Sequence, residues 1–151
     1  MGALFRCSHM TTQAQPTCKQ RIREHYRSRV SDLRRLIAAD RAGQEDGVED
    51  LGTLNEYGLS FDYVAPGTFS DQRRGYWRYQ LSWGGPGDEF RFYCDENRQP
   101  VRIEYWFLDW FDGARITLRS GQDFDMLRDW LANMDDCGML ELTKREALEG
   151  R

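Results

Sequence analysis

YWRYQLSWGGPGDEFRFYCDENRQPVRIEYWFLDWFDGARITLR, residues 76–119, decides the fold. Apolar and polar residues alternate through it, and glycine-rich or polar turns interrupt it. In Tyr76–Trp83, Trp77, Tyr79, Leu81 and Trp83 share one face, while Tyr76, Arg78, Gln80 and Ser82 share the other. Gly84-Gly85-Pro86-Gly87 turns the chain into Glu89–Cys94, which aligns Phe90, Phe92 and Cys94. Asp95-Glu96-Asn97-Arg98 makes a second turn. Strand Val101–Trp110 then sets Val101, Ile103, Tyr105 and Phe107 against Trp106, Leu108 and Trp110. Asp112-Gly113 reads as a two-residue hairpin turn, because both positions tolerate positive φ. Ala114, Ile116 and Leu118 complete the meander. Upstream, Leu59–Ala65 alternates in the same way, so the block 59–119 predicts an antiparallel sheet of four to five strands with both faces occupied.

Helical patterns flank this block. Ile22, Tyr26, Val30, Leu33 and Ile37 draw one stripe through about 17–42, with Thr17 as a cap and Gly43 as a stop. Such a helix extends about 39 Å at ~1.5 Å per residue. Residues 45–56 are acidic and read as a loop or a short helix. Ser120-Gly-Gln-Asp123 resembles a capping box ahead of an amphipathic helix over about 122–136, marked by Phe124, Leu127, Trp130, Leu131 and Met134. Residues 139–148 read as a helical turn or two that frays. The expectation is an α+β fold: a long N-terminal helix, an antiparallel meander and a C-terminal amphipathic helix.

A chain of 151 residues suits one domain. Residues 1–9 read as a cloning-site remnant ending in Ser8-His9-Met10, and residues 10–15 as part of a disordered tail, leaving 16–151 as the domain. On that reading Cys7 and His9 drop out, and His25 is the one remaining histidine. A net charge of −4 argues against whole-molecule attraction to polyanions. No apolar run approaches the ~20 residues that span a bilayer, and the scattered cysteines read as reduced thiols. The expected location is cytoplasmic, with no membrane partner.

Chemistry-bearing constellations are few. Arg21, Arg23, Arg27, Arg34 and Arg35 give the first helix a basic side that could meet nucleic acid, but no recognition module accompanies it. Glu104, Asp109 and Asp112 lie near Trp106 and Trp110, the arrangement a small hydrolase would need, yet they fall on or beside a turn that favours Asp for backbone reasons. His25 and Cys94 lack catalytic companions, and Gly84–Gly87 joins two strands, away from any phosphate-binding helix terminus. No cofactor or metal is expected.

The segments Tyr57–Phe69, Gly75–Gly85, Asp88–Tyr93 and Ile103–Gly113 resemble a group of small bacterial proteins carried on conjugative plasmids and integrated mobile elements. The similarity spans about residues 55–135. The resemblance carries over no catalytic residue and no ligand; it implies a cytoplasmic accessory protein that acts on host or element proteins. The reading from the residues is a non-enzymatic binding or regulatory protein. Its expected contacts are the exposed rings Tyr76, Trp106 and Trp110, oriented by Asp109 and Asp112, and a homodimer packed through the sheet or through the long first helix is a further expectation.

Overall fold

The computed structural model describes residues 16–150. The expectations for residues 1–9 and 10–15 therefore lie outside the described residues. Helix α1 (Cys18–Arg41) and a single turn, α2 (Leu54–Tyr57), precede five strands: β1 (Ser60–Val64), β2 (Tyr76–Ser82), β3 (Gly87–Cys94), β4 (Pro100–Asp109) and β5 (Asp112–Leu118). Helices α3 (Gln122–Asp136) and α4 (Met139–Glu149) follow. The strands pair antiparallel in the order β1-β2-β3-β4-β5. This is the expected α+β arrangement.

Alternation along the strands sorts the rings. Trp77, Tyr79 and Leu81 of β2, Phe90 and Phe92 of β3, and Ile103, Tyr105 and Phe107 of β4 point to one face and are buried there. Ile22, Val30, Leu33 and Ile37 of α1, and Phe124, Leu127, Trp130 and Leu131 of α3, pack onto them as one cluster. All the long helices sit on this face. The opposite face carries no helix, but it keeps aromatic side chains, Tyr76, Tyr93 and Trp106 among them. There Val64, Tyr76 and Tyr93 form a small separate cluster.

Three local expectations are corrected. The β4–β5 turn is Trp110-Phe111, closing the Asp109–Asp112 pair, while Asp112-Gly113 opens β5. This register sets Ile103, Tyr105 and Phe107 opposite Leu118, Ile116 and Ala114, so three core positions gain apolar cross-strand neighbours. A turn centred on Asp112-Gly113 would leave Ile103 and Tyr105 without them. The capping box at residues 120–123 does not form. Gly121 caps α3 with φ +103°, and the Asp123 carboxylate instead accepts from Tyr26 and Arg34 of α1. Finally, α4 is a continuous helix of 11 residues. Leu140 is fully buried, and the Trp77 indole N–H reaches both the Leu140 carbonyl (3.1 Å) and Thr143 Oγ1 (3.2 Å). One buried donor thus pins the helix to the core.

α1 begins with a formed capping box: Thr17 accepts from the Gln20 N–H, and the Gln20 side chain accepts from the Thr17 N–H. Its anchorage on the sheet is polar as well as apolar. Arg29 donates from Nε (2.7 Å) and Nη2 (3.0 Å) to Asp88, which also accepts from Tyr105 (2.7 Å) and from Ser82. Asp88 is almost wholly buried, so its charge persists only because four donors surround it. Arg29 Nη1 donates to the Tyr57 hydroxyl (3.1 Å), which donates to Asp32 (2.6 Å). Burial first, then the bond to Asp32, push the Tyr57 phenol up to about 12.

Candidate functional site: an aromatic tip braced by carboxylates

The β2–β3 and β4–β5 turns lie at the same end of the sheet, beside the start of α1. Three large rings stand there in solvent: Trp83 at 78% exposure, Trp110 at 85% and Phe111 fully exposed. Trp110 has φ +53°, a left-handed conformation that costs an L-residue roughly 1–2 kcal/mol and that glycine adopts freely. Its ring lies across Gly85, where an added Cβ would come within 2.6 Å of the indole nitrogen. A glycine at position 85 is what allows the two turns to touch. A cleft of about 600 Å³ opens between them, lined by Pro16, Arg21, Gly85, Pro86, Asp109 and Trp110.

Carboxylates fix this end. Asp112 Oδ2 accepts from the Cys18 backbone N–H at 2.7 Å, so a strand residue caps the first turn of α1, where the helix dipole favours negative charge. That backbone bond is the main cause holding the Asp112 carboxyl below its ordinary range. Asp109 accepts from Arg21 Nη1 at 2.8 Å. Arg21 in turn lies over the Phe107 ring, 5.0 Å from its centroid, and His25 stacks on the same ring at 4.3 Å. His25 is thus exposed but packed.

These positions revise the sequence reading residue by residue. Trp110 is where an exposed contact residue should be. Asp109 and Asp112 are beside it, but both are engaged in holding α1 rather than free for a partner. Tyr76, expected among the exposed rings, is buried at 1% exposure, because Val64, the Tyr93 ring (5.3 Å) and the Arg91 guanidinium (5.0 Å) pack against it; this is a correction. Trp106 is half-buried on the helix-free face, overlaid by Arg91 (4.2 Å) and Arg115 (5.6 Å). Trp83 and Phe111 stand exposed beside Trp110, and the sequence reading does not single them out. The alternation carries β2 on to Trp83, whereas the strand ends one position earlier at Ser82. Phe111 falls between the expected strand Val101–Trp110 and the expected turn at Asp112-Gly113, whereas the turn lies two residues further back, at Trp110-Phe111.

The alternative constellations are dispersed. Glu104 points to the helix-free face, where Trp106 Nε1 (3.1 Å), Arg102 (3.2 Å) and Arg115 (3.7 Å) surround it. It lies five residues along β4 from Asp109, on the order of 16 Å at ~3.3 Å per residue, and on the other face. The three acids therefore do not converge on one reacting bond. On α1, Arg21 pairs with Asp109, Arg29 with Asp88, Arg34 with Asp123 and Arg35 with Asp50. Of the five arginines named for nucleic acid, Arg23 and Arg27 have no ion pair among the described residues. The intramolecular carboxylates cancel much of the basic stripe.

Among the described residues, Cys18, Cys94 and Cys137 are free thiols, and no group of three His, Cys, Asp or Glu side chains could hold a metal ion. No described helix is long and apolar enough to cross a membrane. No protein-family model, curated protein or solved structure matches this chain.

Proposed function

We propose that this protein is a non-enzymatic binding protein that engages another protein through the aromatic tip formed by Trp83, Trp110 and Phe111. One observation carries the reading: Trp110 is held in a strained left-handed turn with its ring in solvent, where glycine or asparagine would fit without cost. Strain of that kind is retained where it serves a function. Large rigid rings ringed by charge are also the usual anchors of protein interfaces. The bracing by Asp109 and Asp112 means that the tip is presented as a fixed shape, which lowers the ordering cost of binding. The sequence resemblance to accessory proteins of bacterial mobile elements supports seeking the partner among host or element proteins.

The test is a photo-crosslinking amino acid at position 111, followed by capture from a bacterial lysate in the presence of unlabelled competitor. Wild-type competitor should abolish the crosslink. A folded Trp83→Ser/Trp110→Ser/Phe111→Ser variant should fail to compete. Equal competition by the two proteins would refute the proposal.

A separate prediction concerns Trp110 alone. Trp110→Gly relieves the left-handed strain and removes little buried surface, so stability should rise by about 1 kcal/mol while partner affinity falls. Urea denaturation of the two proteins measures the first part. A loss of stability would mean that the ring contributes to the fold and is not merely displayed.

A further inference from the structure

The helix-free face of the sheet holds a second feature, independent of the tip. A cleft of about 470 Å³ runs over it, walled by Phe69 and Leu108 and floored by Tyr76, Arg78, Glu89, Arg91, Tyr93 and Trp106. That volume is within the range of small-molecule sites. Loop residues Ser70, Asp71 and Gln72 form its rim.

The hydrogen bonding of the cleft is unbalanced. Of the carboxylates at its floor, Glu89 Oε2 accepts from Arg91 Nε at 2.8 Å, and Asp62, just beyond, accepts two bonds of 3.0 and 2.7 Å from Arg78. Two donors lack partners of this kind. The Tyr76 hydroxyl is buried and makes no hydrogen bond among the described residues. Buried polar groups are almost always satisfied, so an orphan at the base of a cleft calls for a missing partner. Arg91 uses only Nε, leaving both Nη groups without a hydrogen bond among the described residues. Its guanidinium is nonetheless immobilised, over Trp106 at 4.2 Å and over Tyr76 at 5.0 Å. A planar fork held flat, with its two terminal nitrogens unused, matches a carboxylate bidentately. The neighbouring Phe69 ring, 53% exposed, offers a flat apolar wall for whatever carries that carboxylate.

We propose that this cleft binds a small aromatic carboxylic acid. The carboxylate sits across Nη1 and Nη2 of Arg91 and accepts from the Tyr76 hydroxyl, and the ring lies against Phe69. Burial pushes the Tyr76 phenol up to about 12, so it remains a donor through the physiological range. Glu89 keeps Arg91 oriented from the Nε side and repels an acid that approaches in any other pose. Asp71 on the rim disfavours dianions. The ligand class is therefore a monoacid with a flat apolar body.

Benzoate is the probe, with benzamide and benzylamine as neutral and cationic analogues. Titration is followed by calorimetry and by the Trp106 indole N–H resonance. Benzoate at millimolar concentration should shift that resonance, with benzamide weaker by about tenfold and benzylamine silent. Tyr76→Phe should cost about tenfold in benzoate affinity, as expected for a hydrogen bond to a charged group, and should leave the melting temperature of the unliganded protein unchanged or higher, because the hydroxyl it removes has no partner. Arg91→Lys should abolish binding without unfolding the sheet. Trp110→Gly should leave benzoate binding intact, which separates this site from the tip. The proposal is overturned if benzoate produces no shift, if benzylamine binds as well as benzoate, or if Tyr76→Phe lowers the melting temperature while affinity stays the same.

Discussion

Asp88→Ala is expected to lower the stability of the protein by about 3–5 kcal/mol, the usual cost of breaking a buried ion pair from one side. The substitution removes the acceptor of four hydrogen bonds at once. Arg29 would be left with an unpaired guanidinium against the sheet, and Tyr105, which has no solvent access, with an orphaned hydroxyl. Chemical denaturation of the two proteins measures the loss. A double-mutant cycle with Arg29→Met sharpens it, since the pair together should cost clearly less than the sum of the single changes. A loss below about 1 kcal/mol would place the network among exposed, weak pairs.

The same carboxylate sets a pH dependence. Burial alone would raise its pKa, but the bonds from Arg29, Ser82 and Tyr105 outweigh that and hold it below the ordinary 3.8. A depressed folded-state pKa means that its stabilising contribution is complete above the unfolded value and is lost as pH falls through the folded one. Stability should therefore hold from neutrality down to about pH 4 and drop below it. Asp88→Asn should flatten that acid limb, as thermal melts between pH 7 and pH 2.5 would show.

Trp130→Ala should be comparably damaging, at about 3–5 kcal/mol. The indole is nearly buried and contacts three rings: Phe61 edge-on at 5.7 Å, Tyr79 at 4.5 Å and Phe92 at 5.7 Å. These come from β1, β2 and β3, so one side chain of α3 spans the first three strands. Truncation opens a cavity bordered by groups that cannot close on it, because each is fixed by its own strand. Trp130→Phe should lose roughly half as much. A small effect of the alanine change would mean that α3 can slide into the space, and the Tyr79 and Phe92 side-chain resonances would report such a shift.

The strands were legible because period-two alternation survives almost without a break through Trp77, Tyr79, Leu81, Phe90, Phe92, Ile103, Tyr105 and Phe107. The helices were legible from Ile22, Val30, Leu33, Phe124 and Trp130. What the sequence hid is what depends on tertiary pairing. Asp112-Gly113 looks like a turn by local chemistry, yet apolar cross-strand matching moved the turn to Trp110-Phe111. Ser120 looks like a cap, but its intended partner Asp123 binds Tyr26, 97 residues earlier. Tyr76 has polar strand neighbours, so local pattern puts it in solvent, and only the cross-strand packing of Val64, Tyr93 and Arg91 buries it. The candidate site was half visible. Trp110 and the flanking acids were readable, whereas the grouping of Trp83 and Phe111 with them shows only once the two turns are seen to meet.

The polar anchors of α1 have a bearing on how the chain assembles. Cys18 waits on Asp112, Arg21 on Asp109, Tyr26 on Asp123 and Arg29 on Asp88, separations of 94, 88, 97 and 59 residues. During synthesis this helix emerges before all four of these acceptors, which follow it by 59 to 97 residues. Until they emerge its apolar stripe lacks the sheet it packs on, and Arg21 and Arg34 lack their carboxylates. Docking of the N-terminal helix is therefore a late, long-range closure, and the nascent protein depends on whatever shields that stripe in the meantime.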